Sequence, residues 1–452
     1  TWDRISPDLT TNDPQKQKQE ESGGITVDNS AAEMHTTIYS ISESPKAAGQ
    51  IWVGTDDGNV QLTRDGGANW TNVTRNLKLP PNSWISWVEA SRHDPAVAYV
   101  AVDRHTTGDM APYLFRTGDH GRTWKPLIGP KTAGVRGYAH VVKEDRVRPD
   151  MLFVGTELGL YASTDGGASW AQFKPNNFPD VAVRDIAVHD REDDLVLATH
   201  GRGIWVIDDV SPLRSLTADK MAAAATLLPS QQAVQQASPV ALLPGPPVEQ
   251  RIQGNGGWSE GNGVYSGENP PSGAVITYYQ KARHVIGRMK LEVLDEKGNV
   301  VEELPASKRK GLNRVVWSMR TKPPVVPPAA SLAFNSTQGQ RILPGNYTVR
   351  LTKGGEVSTM PLVIGLDRRA TFTAEDRAAQ FAAAERVKGL FGRMTKVVMQ
   401  INGARGMAAQ IAAKPDATAA QKAEATAFSD KADAIRKKLV ATKEGGAITG
   451  EE

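Results

Sequence analysis

The sequence predicts a mainly β protein: a partial β-propeller of about four blades with more expected upstream, then a β-sandwich, then a C-terminal α-helical hairpin. Three observations predict this. A Ser/Thr-x-Asp-x-Gly-x-x-Trp turn recurs at Thr63–Trp70, Thr117–Trp124 and Ser163–Trp170, with its Asp residues 54 and 46 residues apart. Short apolar strands with period-two patterning flank each copy. Beyond residue 370 the apolar spacing changes to that of a helix.

The turn residues have physical roles. The carboxylates of Asp65, Asp119 and Asp165 accept backbone N–H groups and lock the turn. Gly67, Gly121 and Gly167 supply a positive φ. Trp70, Trp124 and Trp170 each offer a large ring for burial. These nine residues read as structural. A strand pair precedes each turn: Ile51–Thr55 with Asn59–Leu62, Ala98–Val102 with Tyr113–Phe115, and Leu152–Thr156 with Leu160–Tyr161. A fourth pair, Leu195–Thr199 with Gly203–Val206, carries Asp208-Asp209 in place of a full turn. An inner strand precedes each pair at Thr37–Ile41, Trp84–Trp87, Ala139–Val142 and Val183–Ala187. Four meanders follow, over residues 1–210. Thr1-Trp2 reads as the tail of another such turn, so further blades are expected before it.

Residues 211–250 shift to Ala, Gln and Pro and read as a connector. Residues 251–368 read as a sandwich, with strands at Ala274–Tyr279, Met289–Leu294, Leu312–Trp317 and Gly345–Leu351, and a hairpin turn at Asp295–Asn299. Residues 369–452 read as a helical hairpin. Thr373 opens the first helix, and Phe381, Val387, Leu390, Phe391, Met394, Val398 and Ile401 form an apolar stripe expected to pack. Lys414-Pro-Asp416 breaks it, and a second helix is expected to run to about Thr442.

Composition excludes several function classes. The 452 residues contain no Cys, so disulfides and Cys-ligated zinc are ruled out. The 53 basic and 50 acidic residues give a formal charge of only +3, which argues against a nucleic-acid partner. No apolar run is long enough for a membrane-spanning helix. His35, His93, His140, His189 and His284 show no metal-ligand spacing, so no metal site is assigned. No cofactor is expected, although the Asp-rich turns offer oxygen ligands compatible with structural calcium. No phosphate loop or dinucleotide glycine signature occurs.

Aligning the meanders gathers polar residues in the loops after each second strand. They are Asp56 and Asp57 in the first, Asp103, Arg104 and His105 in the second, Glu157 in the third, and His200 and Arg202 in the fourth. These loops should converge on one rim, overhung by the polar insertion Thr11–Glu33. The rim residues are candidates for ligand binding. Asp57, Asp103 and Glu157 are weak catalytic candidates, since glycoside hydrolysis needs paired carboxylates roughly 5–10 Å apart. Arg104 and Arg202 give only two arginines, and no tyrosine falls in these loops, which does not suit sialidase-type chemistry.

Four segments carry a family likeness: Gly54-Thr-Asp-Asp-Gly58, Gly155-Thr-Glu-Leu-Gly159, Ala198–Asp209 and Gly267–Ile276. Through them the chain resembles the bacterial Asp-box (BNR-repeat) glycosyl-hydrolase-like proteins, whose propeller is related to the sortilin ectodomain. Gly311–Trp317 and Pro344–Leu351 resemble the immunoglobulin-like domain of flagellar hook-cap proteins. The resemblance implies an extracytoplasmic location, periplasmic or secreted, and a longer protein, with the remaining blades supplied by the same precursor or another chain. It implies recognition of a protein, peptide or glycan at the rim, without catalysis. A polysaccharide hydrolase and a purely structural segment remain the alternatives.

Overall fold

The computed structural model describes residues 2–21, 35–175, 178–235, 271–330, 332 and 337–442. The chain divides into two compact units, Thr1–Lys220 and Met221–Glu452.

In the first unit, four antiparallel sheets follow one another along the chain. The first comprises β1 (Ile38–Glu43), β2 (Ile51–Thr55), β3 (Val60–Thr63) and β4 (Thr71–Asn72). The second comprises β5 (Trp84–Ala90), β6 (Ala98–Asp103), β7 (Tyr113–Thr117) and β8 (Lys125–Ile128). The third comprises β9 (Ala139–Glu144), β10 (Leu152–Thr156), β11 (Gly159–Ser163) and β12 (Ala171–Gln172). The fourth has three strands, β13 (Val183–Val188), β14 (Leu195–Thr199) and β15 (Ile204–Ile207). Each is a meander in sequence order. The first strand of each later sheet packs on the first two strands of the sheet before it: β5 on β1 and β2, β9 on β5 and β6, β13 on β9 and β10. This propeller-like stacking needs flat contact surfaces. Gly54 and Gly155 provide them, since a Cβ on Gly54 would lie 2.5 Å from Ile85 Cγ2, and one on Gly155 would lie 2.6 Å from the Val183 carbonyl of the next sheet. Trp52, Val60, Ile85 and Val100 fill the space between the first two sheets, and Tyr99, Val154 and Tyr161 belong to the next core.

The three Asp–Trp turns are superimposable in their bonding. Asp65 Oδ1 accepts from Asn69 N at 2.9 Å, Asp119 Oδ1 from Thr123 N at 2.8 Å, and Asp165 Oδ1 from Ser169 N at 2.9 Å. The hydroxyl four residues before each glycine accepts the Gly67, Gly121 or Gly167 N–H at 2.9 Å. Hydrogen bonds from Thr123 hold the Asp119 carboxyl down at about 2. Two of the glycines lie against the outer edge of the preceding sheet, Gly121 against Val73 and Gly167 against Leu127, and Gly67 lies against Ile5, which belongs to no strand. Val73, Leu127 and Ile5 each follow a Trp by three residues. The segment after Trp2 thus touches the first turn where Val73 and Leu127 touch the next ones, though it forms no strand, and Trp2 itself is exposed.

Two short helices, α1 (Ser211–Arg214) and α2 (Ala218–Ala222), close the first unit and start the second. Arg214 of α1 grips two carboxylates. Its Nε donates to Asp145 Oδ2 at 2.9 Å and its Nη1 to Asp193 Oδ2 at 2.7 Å.

The second unit has two sheets on one core. β16 (Ala225–Leu228) and β17 (Ala233–Gln235) come from the stretch expected to be a connector. β18 (Ala274–Gln280), β19 (Met289–Leu294), β20 (Val300–Leu304), β21 (Gly311–Trp317), β22 (Gly345–Lys353) and β23 (Glu356–Leu366) complete them. The sheet orders are β16-β18-β21 and β17-β23-β22-β19-β20, with only the β17–β23 pair parallel among the described strands. Residues 225–235 therefore build sheet edges, because Leu227, Leu228 and Ala233 have apolar surface to bury; residues 236–270 lie outside the described residues. Tyr278, Trp317, Leu291 and Val349 form the centre of the shared core.

The helices α3 (Ala374–Ala412) and α4 (Ala419–Arg436) both start with capping boxes, at Thr373 and Thr418. The second helix ends at Arg436 and not near Thr442, and the chain continues as a turn over 437–439. Of the expected apolar stripe only Val398 is fully buried, and Val387 and Leu390 are each 49% exposed. A stripe on a 39-residue helix reaches past the surface that α4 covers.

Candidate functional site

The first residue pairs of the inner strands position the site. Ile38 pairs with Thr55, Trp84 with Asp103, Ala139 with Thr156 and Val183 with Thr199. Three of these last positions hold a threonine whose hydroxyl bonds local backbone: Thr55 accepts Asn59 N at 2.8 Å, Thr156 donates to Arg136 O at 2.8 Å, and Thr199 donates to Gly203 O at 2.6 Å. The second sheet has Asp103 instead, fully buried.

Asp103 organises a cluster drawn from all four sheets. Its Oδ1 accepts the His105 backbone N–H at 3.0 Å and faces His105 Nδ1 at 2.6 Å, while its Oδ2 lies 3.2 Å from His140 Nδ1. Burial pushes the Asp103 carboxyl up, but the bonds from His140 and His105 outweigh it and leave the group below its ordinary value. Arg184 approaches from the fourth sheet. Its Nη2 donates to the Tyr138 hydroxyl at 2.9 Å, and its Nη1 lies 3.0 Å from His140 Nδ1. A guanidinium only donates. His140 Nδ1 therefore serves Asp103 when protonated and Arg184 when not.

Aromatic rings surround this polar centre. His105 stacks on Tyr138 with centroids 4.5 Å apart. Trp84 meets Tyr39 edge-on at 4.6 Å and His140 at 5.6 Å. The Trp84 indole N–H is buried and has no hydrogen-bond partner among the described residues. Tyr39 remains about half exposed, and His105 and Arg184 keep part of their side chains open. The result is an aromatic, cationic patch with donor groups available and an ionised carboxylate sealed beneath it.

A common backbone device aims three of these residues. Pairing skips Tyr39 in β1, His140 in β9 and Arg184 in β13, where the register shifts. An extra residue at a β-bulge leaves the in-and-out alternation and points its side chain along a new direction. In β5 the skipped residue is Ser86, one step later, and Trp84 fills the corresponding space.

Of the rim candidates singled out in the sequence, only Asp103 and His105 belong to this cluster, and His140, noted there only as one of the scattered histidines, joins them. Glu157 borders it, its backbone N–H donating to the Tyr138 carbonyl at 3.1 Å. Asp56 holds Thr37 N at 2.7 Å and pairs with His35 at 3.3 Å. Asp57 is buried, where it accepts Thr11 N at 2.6 Å and the Thr55 hydroxyl. It thereby anchors the start of the polar insertion, of which residues 22–33 lie outside the described residues. Arg104 is tied to Asp109 at 3.1 Å and Ser83 at 2.7 Å. His200 and Arg202 are exposed, and Arg202 Nη1 donates to the Gly201 carbonyl. Tyr39, Trp84, Tyr138, His140 and Arg184 carried one detectable signal: each stands at or beside the start of an inner strand in the aligned repeats. No group of three or more metal-ligating side chains occurs among the described residues.

No family model matches the chain. Solved structures with some likeness include YCF48 bound to D1 peptide, at 18% identity, TM-score 0.29, over 38% of this chain and 51% of that one. The GH74 xyloglucanase from Xanthomonas campestris aligns at 16% identity, TM-score 0.30, over 38% and 29%. YCF48 from Cyanidioschyzon merolae aligns at 18% identity, TM-score 0.27, over 38% and 55%. These neighbours are β-propeller proteins, and this chain covers little more than half of each or less. Such low scores assign no activity.

Proposed function

We propose that the first unit is a recognition module, part of an Asp-box propeller of the sortilin-related kind. Its ligand seats on the open parts of Tyr39, His105 and Arg184, which Trp84 and the buried Tyr138 and His140 hold in place. One observation carries this reading: Tyr39, His105 and Arg184, from the first, second and fourth sheets, leave part of their side chains open over the buried Asp103 carboxylate, backed by the buried Tyr138 and His140 of the third. The exposed Tyr39 ring stacks on flat or apolar ligand groups, while Arg184 offers donors to acceptor oxygens. A peptide or glycan presenting carbonyl, hydroxyl or carboxylate oxygens has this chemistry. An extracytoplasmic setting suits such a ligand.

The hydrolase alternative draws less support. Asp57 is committed to Thr11 and Thr55, and Asp103 to two histidines, which leaves Glu157 without an evident carboxylate partner for acid–base chemistry. The second unit, read as an immunoglobulin-like sandwich with a helical hairpin, acts as a spacer or docking element.

The test is binding to immobilised peptide and glycan panels by the intact chain. Arg184→Ala and Tyr39→Ala are each expected to weaken any hit at least about tenfold, roughly 1.4 kcal/mol, with Arg202→Ala near wild type. Unchanged affinity in both patch variants would place the ligand elsewhere. Release of reducing ends from a polysaccharide panel would favour hydrolysis.

A further inference from the structure

The second unit carries a surface that neither the repeats nor the patch accounts for. It is formed by the loop between β18 and β19 and by the segment that enters β21. In the loop, residues 281–288, the side chains of Lys281, Arg283 and Arg288 belong to exposed residues. At its tip Val285 is 77% exposed and Ile286 87%. Scattered apolar side chains on a surface are ordinary, but these two are adjacent and their turn is held. His284 Nε2 donates to the Gly287 carbonyl at 3.1 Å, and Gly287 takes φ +98°, which its missing Cβ allows.

A second cationic segment is tied to the loop. The His284 backbone N–H donates to the Lys308 carbonyl at 3.0 Å. Residues 305–310 are in turn anchored from β18 and β21. The Tyr278 hydroxyl and Gln280 Nε2 donate to the Ser307 carbonyl at 2.6 and 2.8 Å, and Asn313 Nδ2 donates to the Arg309 carbonyl at 3.0 Å. Lys308, Arg309 and Lys310 are exposed. Residues 281–288 and 305–311 contain no Asp or Glu. None of these six cations forms an ion pair among the described residues. Two acids of the adjoining strands are occupied elsewhere, Glu292 by Arg350 at 3.0 Å and Glu303 by Lys290 at 4.0 Å. A fixed apolar tip thus stands beside six positive charges that no acid of either segment offsets.

We propose that this tip docks the second unit on an anionic lipid surface, with Val285 and Ile286 entering the interfacial layer and the lysines and arginines meeting lipid phosphates. A lipid surface uses both features: apolar side chains bury at the headgroup boundary, and cations are drawn to anionic headgroups. A nucleic acid would engage the charges and leave the aliphatic tip in water. Two side chains are too small an anchor alone, so the charges must contribute, and the attachment is sensitive to salt.

Flotation of the full chain with vesicles tests this, using phosphatidylcholine alone or mixed in equal parts with phosphatidylglycerol. Partition onto the mixed vesicles is expected to exceed that onto the neutral ones at least about tenfold and to fall as salt is raised. Ile286→Asp, and separately the pair Lys308→Glu with Arg309→Glu, are each expected to lower it at least about tenfold. All three positions are exposed, so the variants should keep the wild-type melting temperature. The proposal is overturned if mixed vesicles bind no better than neutral ones, or if either variant binds them like wild type. A DNA oligonucleotide bound more tightly than the mixed vesicles, and equally well by Ile286→Asp, would also overturn it in favour of a polyanion site.

Discussion

Asp103 shows how one residue converts a structural position into a chemical one. Its counterparts Thr55, Thr156 and Thr199 serve the local backbone, whereas its charge reaches into two neighbouring rings. Removing that charge leaves His105 and His140 without their acceptor in a buried place. Asp103→Asn is therefore expected to cost about 2 kcal/mol, read as a lower urea midpoint. The sign of the pH effect follows from the lowered carboxyls of Asp103 and Asp193. A group whose folded value lies below its unfolded one stabilises above the unfolded value and stops doing so as pH falls through the folded one. The melting temperature should fall as the pH drops below about 4, and fall less steeply in Asp103→Asn. A parallel curve in the variant would count against this assignment. Asp103 and His105 stood out in the aligned loops because loop residues need no alternation. Tyr39, His140 and Arg184 did not, because a bulge is invisible to period-two patterning; each looks like an ordinary strand residue until the pairing partner is known.

At the level of elements, the sheets depend on close approach. A methyl group on Gly155 would sit 2.6 Å from the Val183 carbonyl as well as against Val141. Gly155→Ala is expected to destabilise by about 2 kcal/mol through overpacking, and a melting temperature equal to wild type would show that the sheets yield. Helix α1 is fastened in part by the Arg214 side chain. Arg214→Met strands Asp145 and Asp193 without a shared cation and should cost about 3 kcal/mol, measured by chemical unfolding. Thr418→Ala removes the capping box of α4 and should cost about 1 kcal/mol, seen as lost helical ellipticity. The meander strands were legible because each short apolar run is bounded by turn residues, and the long helix because its apolar residues recur at helical spacing. β16 and β17 were not, since Ala and Gln carry little β signal and the strands form only against β18 and β23, distant in sequence.

The whole molecule is two units with separate cores. Expressed apart, residues 1–220 and 221–452 are each expected to unfold in one cooperative calorimetric transition; a half lacking any transition would show that its core is incomplete alone. The first unit leaves apolar groups uncovered at both ends of its sheet stack. In β1, Ser40 and Ser42 face the second sheet by bonding Val88 N and Ala90 N, while Ile41 points away and is 66% exposed. In β15, Ile204 and Val206 are likewise exposed. The recurring turns made the repeat legible, but which surfaces it leaves open depends on neighbours that no single repeat encodes. The bulges have a last consequence. Each places its odd residue outside the pattern that seals one sheet against the next, so the surface offered to a visitor and the glue between layers answer to different letters of the sequence. Swapping tyrosine, histidine or arginine at those three points would retune selectivity in steps, much as changing single pins rekeys a lock without recasting its barrel.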